Sequence, residues 1–566
     1  MSENKKNTSF FSKRITIFLC LPLISICFIL FSISSYTQKS PTFDEGIIIA
    51  SGYHYLNTGK NNINPENPPL LKALLAFPSL FINIDKPKIS DDLKYSYNMN
   101  KELIYAGKFL YDNNAIKIIN SARFINVLLT LLGAFFVYLT ITVYLKRSFG
   151  LLGFILFLFS PNILAHARLA TVDSGIMMFM FGANYFLLKG LKKEKYYYFI
   201  LTGLMVGATM LCKFTGLLII PIFFIQLLIY YIATRQRHNL KNRFVHTFKW
   251  FILVCFIAFL TVNIFYGFKG CGKTLNEYTL KSSLLTHFKN QTLINSIPIL
   301  LPNDYVKGFD IVAYNNKPGF PNIFMGKYYP LGGSWWNYYF LVMGMKLPIP
   351  LLMLTIIGII FSFFMLYRKW EFYFFLIPPL IIFSNFSFLA YRQSGFRYIL
   401  PILPYIILCA VIGFNYLFRN SKVLFKILAF TILIWFFTVS YFIYPNYLTY
   451  FNQFVEGPEG GKNYFAATNL DWGQDLPGLK KWLIKNNNPA IKLLYYGHAK
   501  PSYYGISQAQ KPEYIAISVT NMYVHAKDNY ISQLLTTEPI ANIGNSIYIF
   551  KALSRRCGNK ASELNN

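Results

Sequence analysis

The chain has 566 residues, of which 54% are apolar, 19% aromatic and only 14% charged, and its mean hydropathy is +0.38. An ordinary soluble domain carries roughly 25% charged residues, so this chain has more apolar surface than a water-soluble fold of its size conceals. The net charge of +31 would suit nucleic acid, but in so apolar a chain it fits the bias of Lys and Arg toward cytoplasmic loops, and no nucleic-acid partner is expected.

A membrane-spanning helix needs about 20 mostly apolar residues. Eleven segments qualify, at about 15–36, 121–145, 149–164, 174–190, 197–212, 215–233, 249–267, 347–367, 372–390, 398–418 and 423–443. The first lacks a small-residue cleavage site and reads as an anchor. Lys and Arg gather at residues 5–14, 146–147, 189–195, 235–243, 368–369 and 419–422, which fall on one side if the N-terminus is cytoplasmic. An odd number of spans then puts the C-terminus outside. All but Glu3, Glu194 and Glu371 of the 23 acids lie at or beyond the outer face. The fold class expected is an α-helical polytopic membrane protein with about 11 spans in residues 1–445, outer loops at about 37–120 and 268–346, and a small extracytoplasmic α/β domain over 446–566. In that tail, 491–497, 513–519 and 546–550 read as strands and 475–485 as a helix, with Asp475 as its N-cap. The seven cysteines include no CxxC pair.

The residues able to carry chemistry come from the outer side. Asp44 and Glu45 follow the first span and suit proton abstraction or metal binding; a helix N-terminus explains adjacent acids equally well. Glu66 stands in Asn64-Pro65-Glu66-Asn67-Pro68-Pro69, where three prolines stiffen the backbone. The turn AHARLATVD at 165–173 offers His166 and Asp173, each with a structural alternative as a hydrogen-bonded residue or a helix cap. Lys213, where two spans meet, calls for an anionic partner or a route to the interface. Arg397, at the start of the tenth span, suits bidentate phosphate binding. Acids that activate a hydroxyl and cations that receive a phosphate point to group transfer from a lipid phosphate.

These motifs resemble the GT-C superfamily of polyprenyl-phosphate-sugar-dependent glycosyltransferases, in the branch shared by protein O-mannosyltransferases and bacterial aminoarabinose transferases (glycosyltransferase family 39-like). The resemblance spans 15–445. It rests on Asp44 with Glu45, NPENPPLLK at 64–72, AHARLATVD at 165–173, KFTGL at 213–217 and GFRYILPILP at 395–404. It implies Asp44, Glu45 and Asp173 as catalytic acids. It implies Lys213, Arg397 and Glu66 as donor-phosphate residues, and a divalent cation near Glu66, Asp173 and His166 as a candidate cofactor. The segment 268–346 is too short for the MIR insertion of the protein O-mannosyltransferases. The motif TNLDWGQD at 468–475 resembles the C-terminal region of a bacterial subset, and is expected to serve the acceptor or tail docking rather than bond chemistry.

The expected function is inverting transfer of a hexose from a polyprenyl-phosphate donor to a lipid, glycan or protein hydroxyl, with Asp44 as general base, at the outer face of a bacterial inner membrane. Membrane lipids are the other expected partners. The alternative is a transporter or flippase for a lipid-linked anionic substrate. It is less favoured because the ionisable residues cluster at one mouth and no internal repeat is visible.

Overall fold

The computed structural model describes residues 2–234, 240–366 and 369–553. All eleven expected spans coincide with helix. Among the described residues, seven helices are long and apolar enough to cross a membrane unaided: Leu19–Tyr36, Ala115–Tyr144, Phe214–Ala233, Thr247–Phe265, Trp370–Leu389, Phe396–Arg419 and Val423–Phe442. Two bent helix pairs pass the same test together, Arg147–Leu158 with Pro161–Ala167 at 61° and Tyr338–Lys346 with Ile349–Met365 at 114°, so the count is seven, or nine if each pair is one span, against the eleven expected. Prolines cause both breaks: Pro161 opens the second half of one pair, and Pro348 and Pro350 lie in the joint of the other. The remaining two segments are the 15-residue helix Tyr196–Met210 and the helix Asp173–Lys193.

Lipid replaces water as the solvent of the outward surface. Leu19, Leu23, Ile26 and Leu30 stay exposed on the first helix, and Val423, Leu424, Ile427 and Ile434 on the last. Apolar attraction therefore cannot hold the bundle together, and close backbone approach does. At Gly358 an added Cβ would meet the Cys409 carbonyl at 1.8 Å, and at Gly413 that of Leu354 at 2.1 Å. Either side chain would push apart the helices Ile349–Leu366 and Leu403–Arg419.

The first long loop packs three short helices, Glu45–Thr58, Pro69–Ala76 and Met99–Tyr111, around their own apolar cluster. The second contributes the helix Asn303–Asn315 and a hairpin of β1 (Asn322–Phe324) and β2 (Lys327–Tyr329). The tail holds a four-stranded sheet in the order β3 (Ile491–Leu494), β4 (Tyr514–Ser518), β6 (Ile547–Lys551), β5 (Ala541–Ile543), with only the first pair parallel. Helix Leu476–Lys485 seats Leu476, Leu479 and Leu483 on one face of that sheet. Its other face, through Ile515, Ile517, Tyr548 and Phe550, joins the core of the membrane bundle. The expected N-cap bond of Asp475 is not made. Its carboxylate instead pairs with Lys39 and accepts from Ser546 Oγ at 2.6 Å, which latches the tail to the linker after the first span.

Candidate active site

Four charged side chains from four separate segments meet at one end of the bundle. Asp44 stands at the N-cap of Glu45–Thr58 but caps nothing; its Oδ2 accepts from Arg397 Nη1 at 2.6 Å. The same guanidinium nitrogen lies 3.8 Å from Asp173 Oδ2, and Lys213 Nζ donates to Asp173 Oδ1 at 3.0 Å. The result is an alternating row of Asp44, Arg397, Asp173 and Lys213. Alternation is what permits four charges to sit together with little water: Arg397 and Asp173 are buried, while Asp44 keeps 31% of its side chain exposed. Lys213 Nζ also lies 4.3 Å from the centre of the Tyr398 ring.

The row lines one side of a cavity of about 470 Å³. Its polar wall adds Asn64, Glu66, Glu102 and Arg392. Its apolar wall includes Phe214, Leu218, Leu284, Phe309, Phe386 and Leu389. Such a space accepts a molecule with an anionic, hydroxyl-rich end and a hydrocarbon body.

The turn that delivers Asp173 is fixed from behind. Asn126 Nδ2 donates to the carbonyls of His166, Ala167 and Leu169. Buried Arg168 donates to Ser35 Oγ at 2.6 Å and to the Pro445 carbonyl at 2.7 Å. Asp173 is the first residue of Asp173–Lys193 rather than its N-cap, which is Val172. Its carboxylate is thereby left for Lys213 and Arg397.

Three sequence expectations need correction. Glu45 does not line the cavity. Adjacent side chains at the start of a helix diverge, and Glu45 points into the protein, fully buried against Arg123. Arg123 Nε and Nη2 reach its two oxygens at 2.8 and 2.7 Å, and the amides of Thr42 and Ala170 complete the shell. Burial alone would raise the Glu45 pKa, but the guanidinium and these donors hold it below the ordinary carboxylate value. Glu45 is therefore a permanent ion that anchors the loop of its neighbour Asp44. His166 is likewise buried outside the cavity lining. Among the described residues no group of three or more His, Cys, Asp or Glu side chains is arranged to hold a metal ion. Glu66, Asp173 and His166 thus do not form the expected ligand set. Lastly, of the two roles expected of the tail motif, tail docking fits and an acceptor face at Trp472 does not, since that ring is 1% exposed and lies under Arg397.

Glu102 carries no motif signal, and Lys72 closes the NPENPPLLK motif at 64–72 without an expected role. Glu102 accepts from the Asn64 amide at 3.1 Å and from Asn64 Nδ2 at 2.9 Å. Burial, reinforced by the charge of Glu66, pushes its pKa up to about 8. Lys72 is buried beneath the proline-rich loop and donates to the carbonyls of Ile63 and Asn64. Burial, offset only in part by Glu102, Glu66 and Asp304, brings its pKa down to about 7. It shapes the loop that presents Glu66.

The fold and the site together define a polytopic helical membrane protein with a charged, lipid-sized cavity at one end of its bundle. Residues 116–262 match the family model described as dolichyl-phosphate-mannose-protein mannosyltransferase, a segment that includes Arg123, Asp173 and Lys213. The motif resemblance and this family model point to the same class of glycosyltransferases. A comparison with curated proteins finds no match. Among solved structures the chain is similar to ArnT from Cupriavidus metallidurans bound to undecaprenyl phosphate, at 12% identity over 95% of this chain and 99% of that one, with a TM-score of 0.45. It is also similar to the archaeal oligosaccharyltransferase AglB from Archaeoglobus fulgidus in complex with an inhibitory peptide and a dolichol-phosphate, at 10% identity over 91% of this chain and 69% of that one, TM-score 0.46. A third similarity is to the S. cerevisiae protein O-mannosyltransferase Pmt1-Pmt2 complex bound to the sugar donor, at 15% identity over 56% of this chain and 40% of that one, TM-score 0.31.

Proposed function

We propose that the protein transfers a hexose from a polyprenyl-phosphate donor to an acceptor hydroxyl, with inversion at the anomeric carbon. The observation that carries this reading is the row of Asp44, Arg397, Asp173 and Lys213 at a cavity with one polar and one apolar wall. The acceptor oxygen attacks the anomeric carbon from the side opposite the phosphate and its proton passes to Asp44. The bond between that carbon and the phosphate oxygen breaks, and its electron pair leaves with the phosphate. Arg397 and Lys213 receive the growing negative charge. Asp173 sits between the two cations and pairs with both.

In the empty cavity Arg397 is engaged by Asp44. A donor phosphate competes for that guanidinium and releases the carboxylate to the acceptor. Donor binding and arming of the base then become one event.

The test uses membranes containing the protein and a radiolabelled undecaprenyl-phosphate hexose, assayed for label moving into lipid, glycan or protein. Transfer that disappears in Asp44→Asn supports the reading. Absence of transfer from every such donor, together with an unaltered glycan and lipid profile in cells lacking the protein, sinks it. Movement of the intact donor across the bilayer without bond cleavage would favour a flippase instead.

A further inference from the structure

The tail motif at 468–475 touches both halves of the charged row. On the acidic side, the Phe43 amide donates to the Trp472 carbonyl at 3.1 Å and the Ser40 amide to the Gln474 carbonyl at 2.9 Å. Ser40 Oγ donates to the Gly473 carbonyl at 2.9 Å. The segment leading into Asp44 is thus bonded along the motif like a short strand pair. On the basic side, Asn469 Oδ1 accepts from the Phe396 amide at 3.0 Å, one residue before Arg397. Gly395 has φ +72°, and a Cβ there would meet Thr468 Oγ1 at 2.5 Å. That turn is shaped to the motif. Between the two contacts the Arg397 guanidinium lies 4.4 Å from the centre of the Trp472 ring. The ring is buried, so the cation faces a desolvated π-surface on one side and Asp44 on the other.

We infer that the turn 469–474 is the positioning element of the site, and that Trp472 is the positioning residue that sets the distance between Asp44 and Arg397. This rests on the reading of the site as a glycosyl-transfer centre. The two partners come from segments 353 residues apart, and among the described residues the motif hydrogen-bonds to both loop 40–44 and turn 394–397. Ser394 holds one edge of the guanidinium, its carbonyl accepting from Nε at 3.3 Å and its Oγ from Nη2 at 3.1 Å, and the indole face supports the plane that offers Nη1 to Asp44 and Asp173 at once. The tail therefore backs the charged row from behind, outside the cavity lining, rather than forming an acceptor platform attached to it.

The experiment compares Trp472→Leu, Trp472→Phe and Leu483→Ala in the full-length protein in lipid nanodiscs. Leu483 lies in the tail core near the C-terminal end of the helix Leu476–Lys485, away from the motif in sequence, so Leu483→Ala reports general weakening of the tail. Trp472→Leu should lower kcat/KM for the polyprenyl-phosphate donor by about tenfold or more, the range of a desolvated cation–π contact. Trp472→Phe, which restores a ring face, should recover most of it. Leu483→Ala should leave kcat/KM unchanged. Amide hydrogen exchange over 40–45 and 394–398 should quicken in Trp472→Leu and not in Leu483→Ala. Equal losses in Trp472→Leu and Leu483→Ala, or no recovery in Trp472→Phe, would overturn the inference. If wild type shows no transfer at all, the functional reading has failed, and the exchange data alone decide whether Trp472 fixes the two segments.

Discussion

Asp44 enters the reaction already occupied, since its Oδ2 holds Arg397 at 2.6 Å. Changing Asp44→Asn keeps the shape but removes the proton acceptor, and turnover should fall by about a hundredfold or more with donor binding intact. Glu45→Gln should act differently, because it strips the charge from a buried pair. Breaking such a pair costs about 3–5 kcal/mol, so the variant should melt earlier or fail to accumulate in the membrane. Intact stability with abolished turnover in Glu45→Gln would put the base on the wrong neighbour. Lys213→Met removes the ammonium that Asp173 shares, and the donor KM should rise roughly tenfold or more, the value of a charge-assisted hydrogen bond. Unchanged donor kinetics would leave Lys213 a cap on the Tyr398 ring. Asp44, Asp173, Lys213 and Arg397 could all be read from the sequence, since each charge sits at the end of an apolar run where it needs a reason. Glu102 could not, because Met99-Asn-Lys-Glu102 looks like any solvated helix start. Its burial under Asn64 arises only when two helices of the loop close together. That burial gives a signed pH test. The carboxyl carries its proton in the folded state up to about 8 against an ordinary value of 4.5. The folded state therefore binds the extra proton in that window, and stability falls as pH rises through it. Glu102→Gln removes the dependence. Its melting temperature should match wild type near pH 4.5 and exceed it increasingly toward about pH 8; parallel curves would show that Glu102 titrates normally.

At the scale of elements, the site is assembled by short irregular pieces rather than by the long spans. The helix Glu45–Thr58 has two jobs, with Glu45 pinning its first turn to Arg123 while Asp44 stays outside the turn. The span pattern was readable because a bilayer demands a long apolar run. The bends were only half readable: Pro161 and Pro348 mark the breaks, but not whether the chain turns by 61° or 114°. The tail was the least transparent part. Its helix and three strands follow from apolar alternation, whereas β5 (Ala541–Ile543) is too short to announce itself. Nor does local pattern reveal that TNLDWGQD bonds to residues more than 400 positions earlier. Deleting residues 450–553 frees the amides of Ser40, Phe43 and Phe396 and bares the Arg397 guanidinium. The truncated protein should lose measurable binding of undecaprenyl phosphate by thermal-shift or filter assay. Retained affinity in a folded, membrane-inserted truncation would show that the bundle alone positions the cations.

At the scale of the whole molecule, two ends of the bundle carry opposite inventories. At one end Lys192 Nζ lies 3.3 Å from Glu371 and 4.0 Å from the centre of the Tyr144 ring. The loops after three different spans therefore meet there, bringing the basic clusters at 146–147, 189–195 and 369 to one side as the charge rule requires. The clusters near 5–14 include side chains outside the described residues, as do Arg235, Arg237, Lys241, Arg243 and Arg368. At the other end stand Asp44, Asp173, Lys213, Arg397 and the tail, tied together through the Asp475 latch and the turn 469–474. The site and the tail must share a compartment, because no bilayer passes between groups in hydrogen-bond contact. If Lys-rich loops face the cytoplasm, the site and tail face outward. Cys557 lies outside the described residues, so exposed positions within them make the better reporters. Lys511 is exposed in the tail and Lys193 at the basic end. In a protein cleared of its native cysteines, an impermeant maleimide applied to intact spheroplasts should label Lys511→Cys at once and Lys193→Cys only after lysis. The reverse pattern would put the catalytic mouth in the cytoplasm, where a donor would need no transfer to the outer leaflet. Labelling of both before lysis would mean that the helix Asp173–Lys193 does not cross the membrane.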